Sequence, residues 1–117
     1  MRILKPIIIG VIVFIVVLGA ILLIHMSKLE KQYQSAIQSM EQGQYADAIV
    51  KFTYVHNYKD SQTKMYECHQ IIQYSIAISY MESNNFKAAI KMFEFLDGYK
   101  DSEAKIDECK AAIGTKD

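Results

Sequence analysis

The chain contains an internal repeat, and this feature limits its fold more than any other. Residues 33–68 match residues 74–109, which lie 41 positions later, at 15 of 36 positions. The matches include the tetrapeptide Tyr-Lys-Asp-Ser at residues 58–61 and again at 99–102. Unrelated segments would share roughly two residues over such a length, and a fixed period of about 20 to 50 residues is typical of arrays of small structural units. The sequence therefore predicts a short repeat array.

A second feature is an apolar segment near the N-terminus. Residues 7–24 are 18 consecutive uncharged residues, mostly Ile, Val and Leu. As a helix they would be about 27 Å long, close to the thickness of a bilayer's hydrocarbon core. Pro6 precedes them in the first turn, where its missing N–H costs no hydrogen bond. We predict that residues 1–26 form a short tail and a single transmembrane helix, which contacts the lipid bilayer through residues 7–24.

The alternative for this segment is a cleaved signal peptide. Signal peptides have an apolar region of about 7 to 15 residues and small residues at the cleavage site. The run here is longer and ends in large residues at positions 22–26, which favours an uncleaved anchor. Arg2 and Lys5 in the short tail favour an N-terminus inside and a repeat domain on the outer side. Cys68 and Cys109 favour the opposite orientation, because free thiols suit a reducing compartment.

Beyond the span the charges are nearly balanced. Arg2 and Lys5 are two of the 13 basic residues, so the rest of the chain carries 11 basic and 13 acidic residues. Nucleic acids and anionic lipid surfaces attract clustered Lys and Arg, and the sequence has no such cluster. We therefore expect protein partners and no nucleic acid.

Helical spacing of apolar residues continues beyond the span. Pro6 is the only proline, and nothing between residues 24 and 29 interrupts the pattern. We predict one unbroken rod from Pro6 to Gln42, on the order of 55 Å long. Later amphipathic runs predict four more helices, over residues 45–55, 61–83, 86–96 and 102–113.

The predicted fold class is therefore all-α. The N-terminal transmembrane helix continues into a repeat domain at residues 27–113, with repeats at residues 29–69 and 70–110. The last helix closes the array at its C-terminal end. Residues 114–117 are expected to fray.

Small and polar residues mark the predicted helix boundaries. Gly43 is placed to end the first helix in the left-handed conformation, and Asn57 and Gly98 are placed to do the same later. Asp60 and Asp101 are predicted N-caps, because a carboxylate accepts hydrogen bonds from exposed amides and suits the positive end of the helix dipole. The repeated tetrapeptide would then separate helices rather than bind a partner.

Residues 43–52 resemble the turn and second helix of a tetratricopeptide repeat, with Gly, aromatic, Ala and Phe at that family's spacing. The same spacing recurs in Asn84, Phe86, Ala89 and Phe93. The tetrapeptide with a following Glu-Cys is similar to a longer variant of this family in bacterial proteins. The resemblance covers residues 29–113 and implies an α-solenoid that binds other proteins. The period of 41 exceeds the family's usual length of about 34 residues.

Four repeat-equivalent residues are predicted to hold the helices together: Ala48, Phe52, Ala89 and Phe93. A small alanine lets two helices approach closely, and the phenylalanine fills the space beside it.

Neither the cysteines nor any other motif indicates chemistry. Cys68 and Cys109 occupy equivalent places in successive units, so we expect a separation near 10 Å and two buried free thiols rather than a disulfide. The sequence has no metal-ligand spacing, no phosphate-binding loop and no nucleophile motif. We therefore predict no metal, no cofactor and no enzymatic activity.

The remaining repeated apolar positions are candidates for partner binding: Tyr33, Ile37, Met40, Tyr74, Ile78 and Met81. The resemblance implies that they lie on a concave face. A groove of Tyr and Met suits an apolar helix or an extended peptide. The alternative is that these residues pack in the core, which is common for apolar residues at helical spacing.

These features favour a membrane-anchored interaction module, an adaptor or scaffold that holds a protein partner near the membrane. The alternative is an integral accessory or regulatory subunit of a transporter or envelope complex, whose transmembrane helix packs against other spans. Two repeats are fewer than the roughly three that an array usually needs for a continuous core. Additional stability must therefore come from the rod, from self-association or from a partner.

Overall fold

A computed structural model describes residues 2–114, and helices account for most of this part of the chain. They are α1 (Leu4–Glu41), α2 (Tyr45–Tyr54), α3 (Ser61–Glu82), α4 (Phe86–Phe95) and α5 (Ser102–Gly114). Residues 2–114 contain no strand, so the all-α prediction is confirmed. Each helix packs against the next one along the chain. Gly114 belongs to α5 rather than to a frayed tail, and residues 115–117 lie outside the described residues.

Helix α1 is continuous over 38 residues, which corresponds to about 57 Å. The prediction of one unbroken rod is therefore confirmed. Its two halves have different surroundings: the large apolar side chains of residues 7–24 are exposed, whereas Tyr33, Ala36 and Ser39 are buried. Within the described residues, α1 is the one helix that is long and apolar enough to cross a membrane, a property that an N-terminal signal sequence would share.

The buried apolar residues form two core clusters, one for each repeat. The first joins α1, α2 and the N-terminal half of α3, and its centre includes Ala48 and Phe52. The second joins the C-terminal half of α3 with α4 and α5, around Ala89 and Phe93. All four side chains are fully buried. Because α3 contributes to both clusters, it connects the two repeats mechanically.

Left-handed residues end the helices at equivalent places in the two repeats. Gly43 (φ +77°) follows α1 and Asn84 (φ +61°) follows α3. The prediction for Gly43 is confirmed, as is the one for Gly98 (φ +80°). The prediction for Asn57 is wrong, because the left-handed residue of that loop is Lys59 (φ +48°). The equivalent lysine of the second repeat is also left-handed (φ +52°), so this conformation is a feature of the repeated tetrapeptide.

The prediction that Asp60 and Asp101 cap helices with their side chains needs correction. The backbone carbonyl of Asp60 accepts a hydrogen bond from the Lys64 amide at 3.0 Å, and that of Asp101 from the Lys105 amide at 3.0 Å. Both residues thus occupy the predicted position. However, the Asp60 carboxylate makes no capping bond, and the Asp101 carboxylate accepts a hydrogen bond from Tyr74. A tyrosine of α3, two helices before α5, takes the place of the helix amides.

Candidate functional site

An aromatic cluster fixes the loop between α2 and α3. The ring of Tyr33 packs edge-on against Phe52 and Tyr58, with centroid distances of 5.8 and 5.7 Å. The ammonium group of Lys59 lies 5.1 Å from the Tyr33 centroid and 5.4 Å from the Tyr58 centroid. The Tyr33 hydroxyl donates a hydrogen bond to Oδ1 of Asp60 at 2.5 Å. These five residues are named the first tyrosine cluster.

The second tyrosine cluster repeats this geometry before α5. Tyr74 packs edge-on against Phe93 and Tyr99 at 5.8 and 6.0 Å. Lys100 lies 5.0 Å from the Tyr74 centroid and 5.4 Å from the Tyr99 centroid. The Tyr74 hydroxyl donates to Oδ1 of Asp101 at 2.5 Å. The repeated tetrapeptide therefore does more than separate helices, since three of its residues contact a tyrosine of an earlier helix, Tyr33 of α1 or Tyr74 of α3.

The hydroxyl–carboxylate bonds keep these tyrosines protonated. The bond to Asp60 raises the pKa of Tyr33 to about 12, and the bond to Asp101 raises the pKa of Tyr74 to about 12. The pKa of Asp101 is lowered, first by the Tyr74 hydroxyl. A phenol with so high a pKa is a hydrogen-bond donor and not a general base near neutral pH.

Glu30 distinguishes the first cluster from the second. Its carboxylate accepts a hydrogen bond from the Tyr58 hydroxyl and lies 2.9 Å from Nζ of Lys59. The bond from Tyr58, followed by that from Lys59, lowers the pKa of Glu30 to about 2. The equivalent position in the second repeat is Ile71. No residue within 2–114 therefore forms an ion pair with Lys100.

A polar contact sets the position of α2 against α1. Ser39 is buried, and its hydroxyl donates to Oδ2 of Asp47 at 2.7 Å while accepting a hydrogen bond from Lys51 at 2.7 Å. Lys51 and Asp47 also form an ion pair at 3.0 Å. The Ser39 hydroxyl, followed by Lys51, lowers the pKa of Asp47. This contact fixes the last turns of α1, which carry Ile37 and Met40.

A shallow depression lies beside those last turns of α1. Its volume is about 430 Å³, and six residues from α1, α2 and α3 line it: Ile37, Met40, Glu41, Tyr45, Lys64 and Ile71. Apolar side chains surrounded by charges of both signs are typical of small protein-binding surfaces. We call this surface the α1–α3 depression.

The structure separates the six residues that the sequence predicts to bind a partner. Tyr33 is only 8% exposed and belongs to the first core cluster, so its position is that of a core residue. Ile37 and Met40 are half-buried at the edge of that cluster and line the α1–α3 depression. The members from the second repeat lie half-buried against the second core cluster: Tyr74, Ile78 and Met81. Binding by these residues stays a prediction.

Three residues near these surfaces escape sequence reasoning. Lys64 and Ile71 line the α1–α3 depression, and Glu30 completes the first tyrosine cluster. A signal was available for each, because Lys64 is identical to Lys105 in the second repeat and Glu30 differs from its equivalent Ile71. Comparison of the repeats position by position shows both the identity and the difference.

The two cysteines are free and fully buried, one in each core cluster. Burial is the main cause that raises the pKa of Cys68 and of Cys109. Because the thiolate is the reactive form of cysteine, both side chains act as small apolar residues. Residues 2–114 also bring together no group of three or more His, Cys, Asp and Glu side chains that could hold a metal ion.

Comparisons of the chain with protein-family models, with curated proteins and with solved structures give no match. The resemblance to tetratricopeptide repeats therefore stays a prediction from the sequence.

Proposed function

We propose that this chain is a membrane-anchored interaction module, in which a tetratricopeptide-like helical repeat domain holds a protein partner close to a bilayer. The observation that carries the proposal is the α1–α3 depression. It leaves Ile37, Met40 and Ile71 accessible beside Glu41 and Lys64. Met adapts to differently shaped partners, and the charged residues at the edge of the depression would fix the orientation of the bound partner.

The rigid connection between the apolar half of α1 and the repeats supports this proposal. α1 runs from Leu4 to Glu41 without a break, so a partner bound at Met40 would be held at a fixed height above the bilayer. Met40 is 16 residues beyond Ile24, which corresponds to about 24 Å along the helix axis. The partner would then be held near the membrane surface.

The partner site is tested with the full chain in its native cells. A photo-reactive phenylalanine analogue replaces Tyr45, which lines the depression, and cross-linked proteins are identified by mass spectrometry. Ile71→Arg should remove the cross-linked species, because it places a charge among the apolar side chains. The control is Ile76→Arg on the same helix, where the side chain is 42% exposed and lies outside the residues that line the depression. It should leave the cross-link intact.

A second function, that of an accessory subunit within a larger membrane complex, is favoured by one observation. The apolar side chains of residues 7–24 are exposed, so other spans could pack against them. Reordering residues 7–24 at constant composition separates the two functions. If the cross-link is lost when residues 7–24 are reordered but is kept in Ile71→Arg, the chain acts as an accessory subunit, and the adaptor function is rejected.

The positive tail supports an orientation with the N-terminus inside and the repeats on the outer side. Lys110→Cys tests it, because Lys110 is exposed on α5 whereas both native thiols are buried. A membrane-impermeant maleimide should label this variant in intact cells. Labelling only after lysis would show that the repeats face the inside, opposite to the proposed orientation.

A further inference from the structure

The loop between α2 and α3 lies beside the part of α1 that follows the apolar segment. Seven residues from α1, the end of α2 and the following loop line a depression of about 320 Å³: His25, Leu29, Tyr54, Val55, His56, Asn57 and Tyr58. The Tyr58 hydroxyl donates to Glu30, and Lys59 forms an ion pair with Glu30 at 2.9 Å. The loop is therefore fixed at the level of residues 25–30 of α1.

This level coincides with the lipid headgroups if residues 7–24 occupy the hydrocarbon core. His25 and Leu29 are about 1.5 and 7.5 Å beyond Ile24 along the helix axis. A bilayer's headgroup region extends about 5 to 8 Å beyond each face of the hydrocarbon core. His25 and Leu29 thus lie at headgroup depth, and the loop packs beside them.

The side chains of the loop suit this environment. Tyr54 is 75% exposed, and no residue within 2–114 forms a hydrogen bond with its hydroxyl. Tyrosine is enriched where a membrane meets water, because its ring is apolar and its hydroxyl is polar. His56 and Asn57 beside it are exposed and polar, whereas Val55 turns inward into the core.

We propose that residues 54–57, at the end of α2 and the start of the following loop, form a second membrane contact, in which Tyr54 inserts among lipid headgroups beside α1. The inference rests on the proposed membrane anchor and adds to it. A single helix leaves a domain free to rotate about the helix axis and to tilt. A contact on one side of the helix limits the tilt, so that the α1–α3 depression keeps a defined angle to the bilayer plane.

The repeat provides a control for this inference. Phe95 is equivalent to Tyr54 and is similarly exposed, at 72%. The loop after Phe95 contacts Tyr74 of α3 through Asp101. Tyr74 is 14 residues beyond Asp60, or about 21 Å along the helix axis. Since Asp60 contacts Tyr33 of α1 and Ile71 lines a depression with Met40, α3 leads away from the apolar half of α1. Phe95 is thus an exposed aromatic residue beyond headgroup depth.

Tryptophan fluorescence tests the inference in the full chain, because the natural sequence contains no tryptophan. Three variants, Phe14→Trp, Tyr54→Trp and Phe95→Trp, are reconstituted into phosphatidylcholine vesicles. One set of vesicles carries bromine on the acyl chains, and another carries a nitroxide on the headgroup. We expect bromine to quench Phe14→Trp and the nitroxide to quench Tyr54→Trp, by several times the loss in Phe95→Trp.

The outcomes separate the inference from the anchor on which it rests. If Phe14→Trp is quenched and Tyr54→Trp behaves like Phe95→Trp, the anchor stands and the second contact is rejected. Equal nitroxide quenching of Tyr54→Trp and Phe95→Trp would mean that the whole domain lies on the bilayer, which also overturns a contact specific to this loop. An unquenched Phe14→Trp rejects the anchor itself.

Discussion

The close approach of α1 and α2 can be tested by enlarging one residue between them. Ala48 on α2 and Ala36 on α1 are fully buried in the first core cluster, with Phe52 beside them. Ala48→Leu adds three carbon atoms where no space exists. Such overpacking typically costs about 1 to 3 kcal/mol. In a domain of this size each kcal/mol lowers the melting temperature by about 4 to 8 °C.

The assay is thermal or urea unfolding of the full chain in detergent micelles, so that the apolar half of α1 stays helical. Near-ultraviolet circular dichroism reports on the repeats, because the chain has eight tyrosines and no tryptophan. The matched control is Ala46→Leu, two residues away on α2 and exposed. Leucine is nearly as good a helix former as alanine, so the control should change the stability by less than about 0.5 kcal/mol. Equal melting temperatures for the two variants would refute the helix pairing described above.

Three further predictions concern a charge, the thiols and a helix end. Glu30→Gln should make the melting temperature depend less on pH in acid solution. The contacts that lower the pKa of Glu30 from 4.5 to about 2 stabilise the fold above pH 4.5. This contribution is lost as the pH falls through about 2. If the melting temperature of Glu30→Gln falls between pH 4.5 and pH 2 as steeply as that of the unchanged protein, the prediction is wrong. Cys68 and Cys109, both fully buried, should react with maleimide only after denaturation, and rapid labelling of the native protein would disprove their burial. Gly43→Ala should lower the free energy of unfolding by about 1 to 2 kcal/mol, because alanine is disfavoured in the left-handed conformation (φ +77°). Urea unfolding of this variant is compared with that of Gly114→Ala, a substitution at the end of α5.

Much of the secondary structure could be predicted from the sequence. The four helices after α1 begin at the predicted residues, and each ends within one residue of its predicted end. Helix ends depend on local features, such as the missing side chain of Gly43 and the periodicity of nearby apolar residues. The prediction for Asn57 was wrong because it rested on residue type: the left-handed residue of that loop is Lys59 and its equivalent is Lys100, and lysine is not a type that favours this conformation.

The candidate surfaces were less predictable than the helices. Tyr33 and Ile37 share the same repeat pattern in the sequence, yet Tyr33 is a core residue and Ile37 lines a depression. Periodicity identifies a face of a helix, but it does not show which part of that face a later helix covers. Ile71 contributes to the α1–α3 depression from 34 positions beyond Ile37, and no local pattern joins them.

The sequence alone determined the apolar rod, the 41-residue repeat and the positions of the helices, because each depends on residues close together in the chain. Only the tertiary structure decided what the repeated tetrapeptide does. The Asp60 carboxylate was free to cap α3 or to accept the Tyr33 hydroxyl, 27 residues away, and the packing of α1 against α2 brought that hydroxyl to 2.5 Å. A side chain with two possible partners binds the one that the fold places within reach. The packing of the helices therefore decides between hydrogen-bond partners that the local sequence leaves equally possible.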